Sequence, residues 1–202
     1  FDVVVANPPF SVDKWWGNTD SEGNALPDPY KRFTPHMPPK SRGDYAFILH
    51  MIEVMKPDVG RMAIVVPHGV LFRGSAEGKI RQKLIDENLL DIVIGLPEKL
   101  FYGTGIPAAV LVLRKKREDD KVLFIDASHE YQESKNQNQL RETDLNKILA
   151  TCAARADLAN YAHLASIQEI ADNDYNLNIS RYVDTFKNDD SIDLKAVHAE
   201  RQ

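Results

Sequence analysis

The chain has 202 residues, 43% of them hydrophobic and 27% charged, with a net charge of -5. That is the composition of an ordinary globular protein, long enough for one well-buried domain with a small appendage. No apolar run approaches the ~18–20 residues that cross a bilayer, and no signal-peptide pattern opens the chain. The single Cys152 excludes an internal disulfide or a Cys-rich zinc site, and no metal site is expected; a lone thiol suits the cytoplasm. The acidic balance argues against a domain that binds nucleic acid unaided, because such domains usually carry a basic surplus. If DNA is the substrate, a partner or a localised basic face must supply most of the phosphate attraction.

In chain order, Phe1 to Ala6 reads as an apolar strand that runs into Asn7-Pro8-Pro9-Phe10. The stretch from Ser11 to Arg42 is polar and holds Pro27, Pro29, Pro35, Pro38 and Pro39. It is too long for an idle connection. Asp44 is placed to N-cap a helix with Phe47, Ile48, Met51, Ile52 and Met55 on its apolar face, ended by Pro57 and Gly60. Arg61 to Val66 is a buried strand stopped by Pro67, and Ser75 is expected to cap a second helix with Ile80, Leu84 and Ile85 inward. Strands follow at Leu90 to Gly95, Ala108 to Leu113 and Val122 to Ile125. The alternation predicts an α/β fold whose largely parallel sheet is covered on both faces. The link between the Leu90 and Ala108 strands has no helical period, which predicts an antiparallel return near one sheet edge. The catalytic-type α/β unit is expected over 1–128 and a helical C-terminal region with a polar tail over 129–202. There, Thr143 opens a helix with Leu145, Ile148, Leu149 and Cys152 inward, and Ser166 with Glu169 spells a capping box.

Ligands of open α/β sheets bind outside the carboxyl ends of the strands, where Asn7 to Phe10 fall. Pro8 and Pro9 have no N–H, so the sheet ladder stops there and the turn is stiff. The Pro8 carbonyl and the Asn7 side-chain oxygen are then two acceptors for one NH2 group, such as that of adenine, cytosine or a carboxamide. Accepting both hydrogens localises the lone pair on an otherwise poor nucleophile, ready to attack a sulfonium methyl. Losing one such contact would cost roughly 3–4 kcal/mol, by analogy with an oxyanion-hole donor. Phe10 offers a face for a planar base, worth about 1–3 kcal/mol. A base in a duplex must flip out to reach it. The plainer alternative makes Pro8-Pro9 a stiff turn and Phe10 core filler.

Four stretches together resemble the modification subunit of type I restriction-modification systems, a family of adenine-specific DNA methyltransferases. They are Phe1 to Phe10, Gly60 to Gly74 (GRMAIVVPHGVLFRG), Ile94 to Pro107 (IGLP and FYGTGIP) and Asn173 to Asn178 (NDYNLN). The resemblance implies a Rossmann-like fold and S-adenosylmethionine as methyl donor. It also implies assembly with a specificity subunit that reads double-stranded DNA, and with a restriction subunit. Asn7 and Pro8 would bind the target amino group, Asn7 also bordering the donor, with Phe10 stacked on a flipped adenine. The family's glycine-rich donor loop and its ribose-binding acid precede the catalytic strand and have no counterpart in this sequence. Residues 1–202 are therefore expected to be the substrate half of an active site, inactive alone. Cytosine N4 or protein glutamine methylation, and a non-catalytic scaffold role, are the alternatives.

Other candidates carry less. Gly103 to Ala108 fits G-x-G-x-x-A, but a phosphate loop must open a helix and a strand follows here. Arg73 is a candidate for a DNA phosphate or a solvated loop arginine. Arg114 to Arg117 reads as a solvated basic turn and His68 as structural. Trp15 and Trp16 either pack the long loop down or cover a bound base.

Overall fold

The computed structural model describes residues 1–185 apart from Asn18, Ala25, Gly103 and Thr104; the tail after 185 lies outside the described residues. The elements run β1 (Val3–Ala6), α1 (Asp44–Val54), β2 (Arg61–Pro67), α2 (Ser75–Asp86), β3 (Leu90–Gly95), β4 (Ala108–Arg114), β5 (Lys121–Asp126), α3 (Glu142–Ala154), β6 (Ala162–Ser166) and α4 (Ile167–Asp172). Single 3-10 turns occupy His68–Leu71 and Ile179–Arg181.

The six strands form one sheet in the order β1-β2-β4-β3-β5-β6. β1, β2, β3 and β5 share one direction, and β4 and β6 oppose them. The antiparallel return from β3 to β4 is present, but β4 is not near an edge. It lies between β2 and β3, paired with β2 from Arg61↔Arg114 to Pro67↔Ala108. A strand as apolar as Ala108 to Leu113 gains most from having neighbours on both sides, and edge strands are usually short or charged. β6 also lies outside the sequence expectation, pairing antiparallel with β5 from Lys121↔Ser166 to Ile125↔Ala162.

One sheet face carries α1, α2, α4 and the chain after it. Tyr45, Ile48, Ile80, Ile85, Ile170 and Leu177 pack there against Met62, Ile64, Val66 and Phe124. Tyr182 stacks flat on Phe124, with ring centroids 3.8 Å apart. The other face is covered over β3 and β5, where Ile148 of α3 meets Ile92, Ile94, Leu123 and Ile125. Over β1 it is open among the described residues, with Val3 50% and Val5 73% exposed. The expected cover on both faces therefore holds for the middle of the sheet and not for this edge.

Local differences have local causes. Gly43 and Gly74, not Asp44 and Ser75, hold the N-cap positions of α1 and α2, and neither helix has a side-chain cap. Tyr45 is buried more deeply than Phe47. On α3, Ile148 is buried and Cys152 partly so, whereas Leu145 and Leu149 are exposed. Ser166 caps α4 by accepting from the Glu169 N–H at 3.1 Å, but the Glu169 carboxylate turns to His163 instead of closing the box. Trp15, Trp16 and Phe33 form one aromatic cluster, and the Trp15 indole donates to the Pro39 carbonyl at 2.9 Å. The two tryptophans thus pack the long loop down.

The Arg114–Arg117 run is not a solvated turn throughout. The Arg117 side chain is 2% exposed and pairs with Asp91 at 3.2 Å and Asp119 at 2.9 Å. Arg155, the left-handed residue that ends α3, also reaches Asp91, at 2.6 Å. Buried charges persist only when paired and hydrogen-bonded, and here the pairing knits β3, the β4–β5 turn and α3 together.

Candidate active site

β1 ends where the prolines begin: its last pair with β2 is Ala6↔Ile64. The turn that follows opens into a cleft of about 570 Å³. Asn7, Pro8, Pro9, Phe10 and Ser11 form one wall of it, Pro67, Gly69 and Arg73 a second, and Phe101, Tyr102 and Ile106 a third. Phe10 meets Phe101 edge-on, with centroids 6.1 Å apart at 78°. The Phe101 loop is itself anchored: buried Asn138 donates its side-chain amide to the Glu98 carbonyl at 2.9 Å and its backbone N–H to the Lys99 carbonyl, also at 2.9 Å. Tyr102, 88% exposed, stands at the rim.

No described residue donates to the Pro8 carbonyl, and the Asn7 amide has no partner among the described residues. Both acceptors are therefore open to a ligand in the cleft. Asn7 also borders a second, apolar hollow with Val5, Ala6, Ala63 and Val65, on the open face of the sheet. It stands between the two. In this one respect the residues fit a methyl donor on the far side of Asn7.

The walls are held from behind. Ser11 has a left-handed backbone, with φ of 50°. Its N–H donates to Asp44 Oδ1 at 2.7 Å and its hydroxyl to Asp44 Oδ2 at 3.3 Å. Arg73 Nη1 donates to Asp44 Oδ2 at 3.0 Å and to Glu77 Oε1 at 3.3 Å. The Arg73 guanidinium lies across Gly69, where an added Cβ would fall 2.4 Å from Nε. Burial pushes the Glu77 carboxyl above its ordinary range, and the Arg73 charge opposes that rise. Arg81 is spent on carbonyls, reaching Arg73 at 2.9 Å and Tyr175 at 2.7 Å. The Asn173–Asn178 segment thus braces the turn after β2, and the Leu177 N–H donates to the Leu71 carbonyl at 2.8 Å.

Among the sequence candidates, Asn7, Pro8, Phe10 and Arg73 share this one cleft. Arg73 is neither solvated nor unpaired. His68 is partly buried, and burial lowers its pKa against an opposing pull from the Asp126 charge. Gly103 and Thr104 of the glycine-rich stretch lie outside the described residues, and β4 begins directly after Pro107. Among the described residues no helix is long and apolar enough to cross a membrane, and no cluster of three acidic, His or Cys side chains is arranged for a metal. Sequence reasoning missed Asp44 as a partner of Ser11, and Glu77 altogether. The partners of Asp44 are 33 and 29 residues away and leave no local signal, whereas Glu77 meets Arg73 at the i,i+4 spacing the sequence does carry.

Comparison with known proteins identifies relatives of the chain. The methylase subunit of the type I restriction enzyme MpnII, from Mycoplasma pneumoniae, is 35% identical over 98% of this chain and 36% of its own length. The HindI methylase subunit of Haemophilus influenzae is 32% identical over 94% of this chain and 43% of its own. The crystal structure of a type I restriction-modification methyltransferase subunit from Streptococcus thermophilus superposes with a TM-score of 0.84 at 49% identity. The match covers 92% of this chain and 38% of the other, so the present fold corresponds to part of a Rossmann-like fold. The chain spans about a third to two fifths of the length of these relatives. The N-6 DNA Methylase family model matches residues 1–191, and the chain belongs to that family.

Proposed function

We propose that this chain forms the substrate side of a type I restriction-modification methyltransferase, acting on the N6 amino group of adenine in double-stranded DNA. The carrying observation is a pair of acceptors, the Asn7 side chain and the Pro8 carbonyl, that have no partner among the described residues and stand beside Phe10 in one cleft. An adenine flipped out of the duplex would stack on Phe10 and give its two amino hydrogens to these acceptors. The lone pair then points along the line of transfer: the new N–C bond would form as the donor's sulfonium S–C bond breaks to leave a neutral thioether, and the amino nitrogen would release one proton to water. S-adenosylmethionine, when bound, supplies the methyl group. Asn7, at the border of the two hollows, is the residue of this chain that would touch it.

Relatives of this chain are named as methylase subunits of type I restriction enzymes. We extend to this chain the assembly that such systems imply, with a specificity subunit and a restriction subunit. A sequence-reading partner also reconciles a net charge of -5 with a DNA substrate, since it would bring most of the phosphate contacts. Arg73 keeps a proposed role at a phosphate only through donors not already given to Asp44 and Glu77. A DNA-modifying enzyme of this kind works in the cytoplasm.

The test places Asn7→Ala and Phe10→Ala in the complete modification enzyme and follows methyl transfer to duplex DNA. Removing one preorganised contact at Asn7 lowers the rate by roughly 10²–10³-fold. Removing the stacking face costs about 1–3 kcal/mol. Wild-type rates in both variants would overturn the assignment.

A further inference from the structure

Asp44 is 3% exposed, and a carboxylate so placed persists only when donors surround it. It begins α1, yet it makes no capping bond to its own helix. Its three donors all come from elsewhere: the Ser11 N–H, the Ser11 hydroxyl and Arg73 Nη1. A backbone bond from the Gly43 N–H to the Val12 carbonyl, 2.9 Å, reinforces the same junction. Ser11 directly follows Phe10 and is held left-handed, a conformation that a residue with a Cβ avoids unless its surroundings impose it. Arg73 and Gly69 belong to the opposite wall of the cleft. One carboxylate therefore joins two walls that the chain does not join locally.

We propose that Asp44 is a positioning residue for the Asn7–Phe10 turn. It sets the orientation of Phe10 and of the two acceptors by tying Ser11 to Arg73. This rests on the function proposed above. Asp44 does not line the cleft and touches no reacting atom. Its effect passes through Ser11 to Phe10, and through Arg73 to Gly69. Without it, Ser11 and the guanidinium lose their shared acceptor, and the turn keeps the Gly43–Val12 backbone bond and the packing of Phe10 against Phe101 but no side-chain tie to the opposite wall. Methyl transfer needs the amino nitrogen aligned within a fraction of an ångström, so slack in this turn acts on kcat more than on binding.

The experiment uses the complete modification enzyme with its partner subunits, carrying Asp44→Ala, Asp44→Asn and, as a control on the underlying function, Asn7→Ala. The readouts are kcat and KM on duplex DNA, affinity for S-adenosylmethionine, melting temperature, and fluorescence of 2-aminopurine at the target position. Asp44→Ala is expected to lower kcat at least tenfold, with donor affinity within twofold and a weaker 2-aminopurine signal. Asp44→Asn keeps the volume and can still accept from Ser11, but it loses an acceptor oxygen, so it falls in between. If Asp44→Ala does not fold, Asp44→Asn decides: kcat at least threefold lower at unchanged melting temperature supports the role. Wild-type kcat in Asp44→Asn, or activity that falls only in step with folded protein, overturns it. An inactive Asn7→Ala beside fully active Asp44 variants rejects the positioning alone. A fully active Asn7→Ala rejects the function of the turn and the positioning with it.

Discussion

Replacing Arg73 with Met should destabilise the protein, and do so more at alkaline than at acidic pH. Arg73 is four-fifths buried between two carboxylates that are almost wholly buried, those of Asp44 and Glu77. Arg81 is held away from that position, with Nε on the Tyr175 carbonyl and Nη1 on the Val70 and Arg73 carbonyls. Breaking a fully buried pair by removing one partner costs about 3–5 kcal/mol. The partial exposure of Arg73, and the Ser11 bonds that Asp44 keeps, bring the expected loss to about 2–4 kcal/mol. The pH dependence follows from Glu77. Burial already raises its pKa in the folded state and Arg73 restrains the rise, so removing Arg73 raises it further. A carboxyl with a raised folded pKa binds its proton more tightly when folded, so its unfavourable contribution fades as pH falls and grows as pH rises through that value. Thermal unfolding at pH 5 and pH 8 is the assay, with a drop of about 5–12 °C at pH 8 and a smaller one at pH 5. Adding Glu77→Gln to Arg73→Met should recover part of the loss at pH 8. An unchanged melting temperature, or a larger loss at pH 5, would refute the reasoning.

Acid should loosen the proline-rich loop before the rest of the fold. The Arg32 guanidinium holds the Asp28 carboxyl down to about 2, below the ordinary value of about 3.9. The stabilisation is complete above that ordinary value and is lost as pH falls towards 2, so Trp15 and Trp16 emission should shift in that window, and Asp28→Asn should remove the shift. On α3, Ile148→Ala should cost about 2–4 kcal/mol in urea unfolding, as a buried side chain does. Leu149→Glu, at a position 65% exposed, should change stability by less than about 0.5 kcal/mol; comparable losses in the two would show that the inward face of α3 is misplaced.

The strands were legible because their apolar runs are bounded by Pro and Gly: Arg61 to Val66 ends at Pro67, and Leu90 to Gly95 at Leu96-Pro97. The order of strands in the sheet was not, since no local period records that β4 slots between β2 and β3. β6 escaped because Ala162-His163-Leu164-Ala165-Ser166 is short, mixed and without a turn signal. On α3, Leu145/Leu149 and Ile148/Cys152 are two adjacent rows at four-residue spacing, and periodicity cannot say which one meets β5. Asn7, Pro8 and Phe10 stood out because their chemistry is written in consecutive residues. Asp44 was read as a cap and Arg117 as part of a solvated turn, because Ser11, Arg73 and Asp91, the partners that bury them, arrive from other elements.

The most direct measurement is single-turnover transfer of a labelled methyl group from S-adenosylmethionine to duplex DNA by the complete modification enzyme, with the methylated base identified by mass spectrometry. Wild-type enzyme should yield N6-methyladenine, and Asn7→Ala should slow its formation by roughly 10²-fold or more while donor binding persists. Label on another base, or an Asn7→Ala rate equal to wild type, would contradict the assignment of this cleft to the adenine amino group.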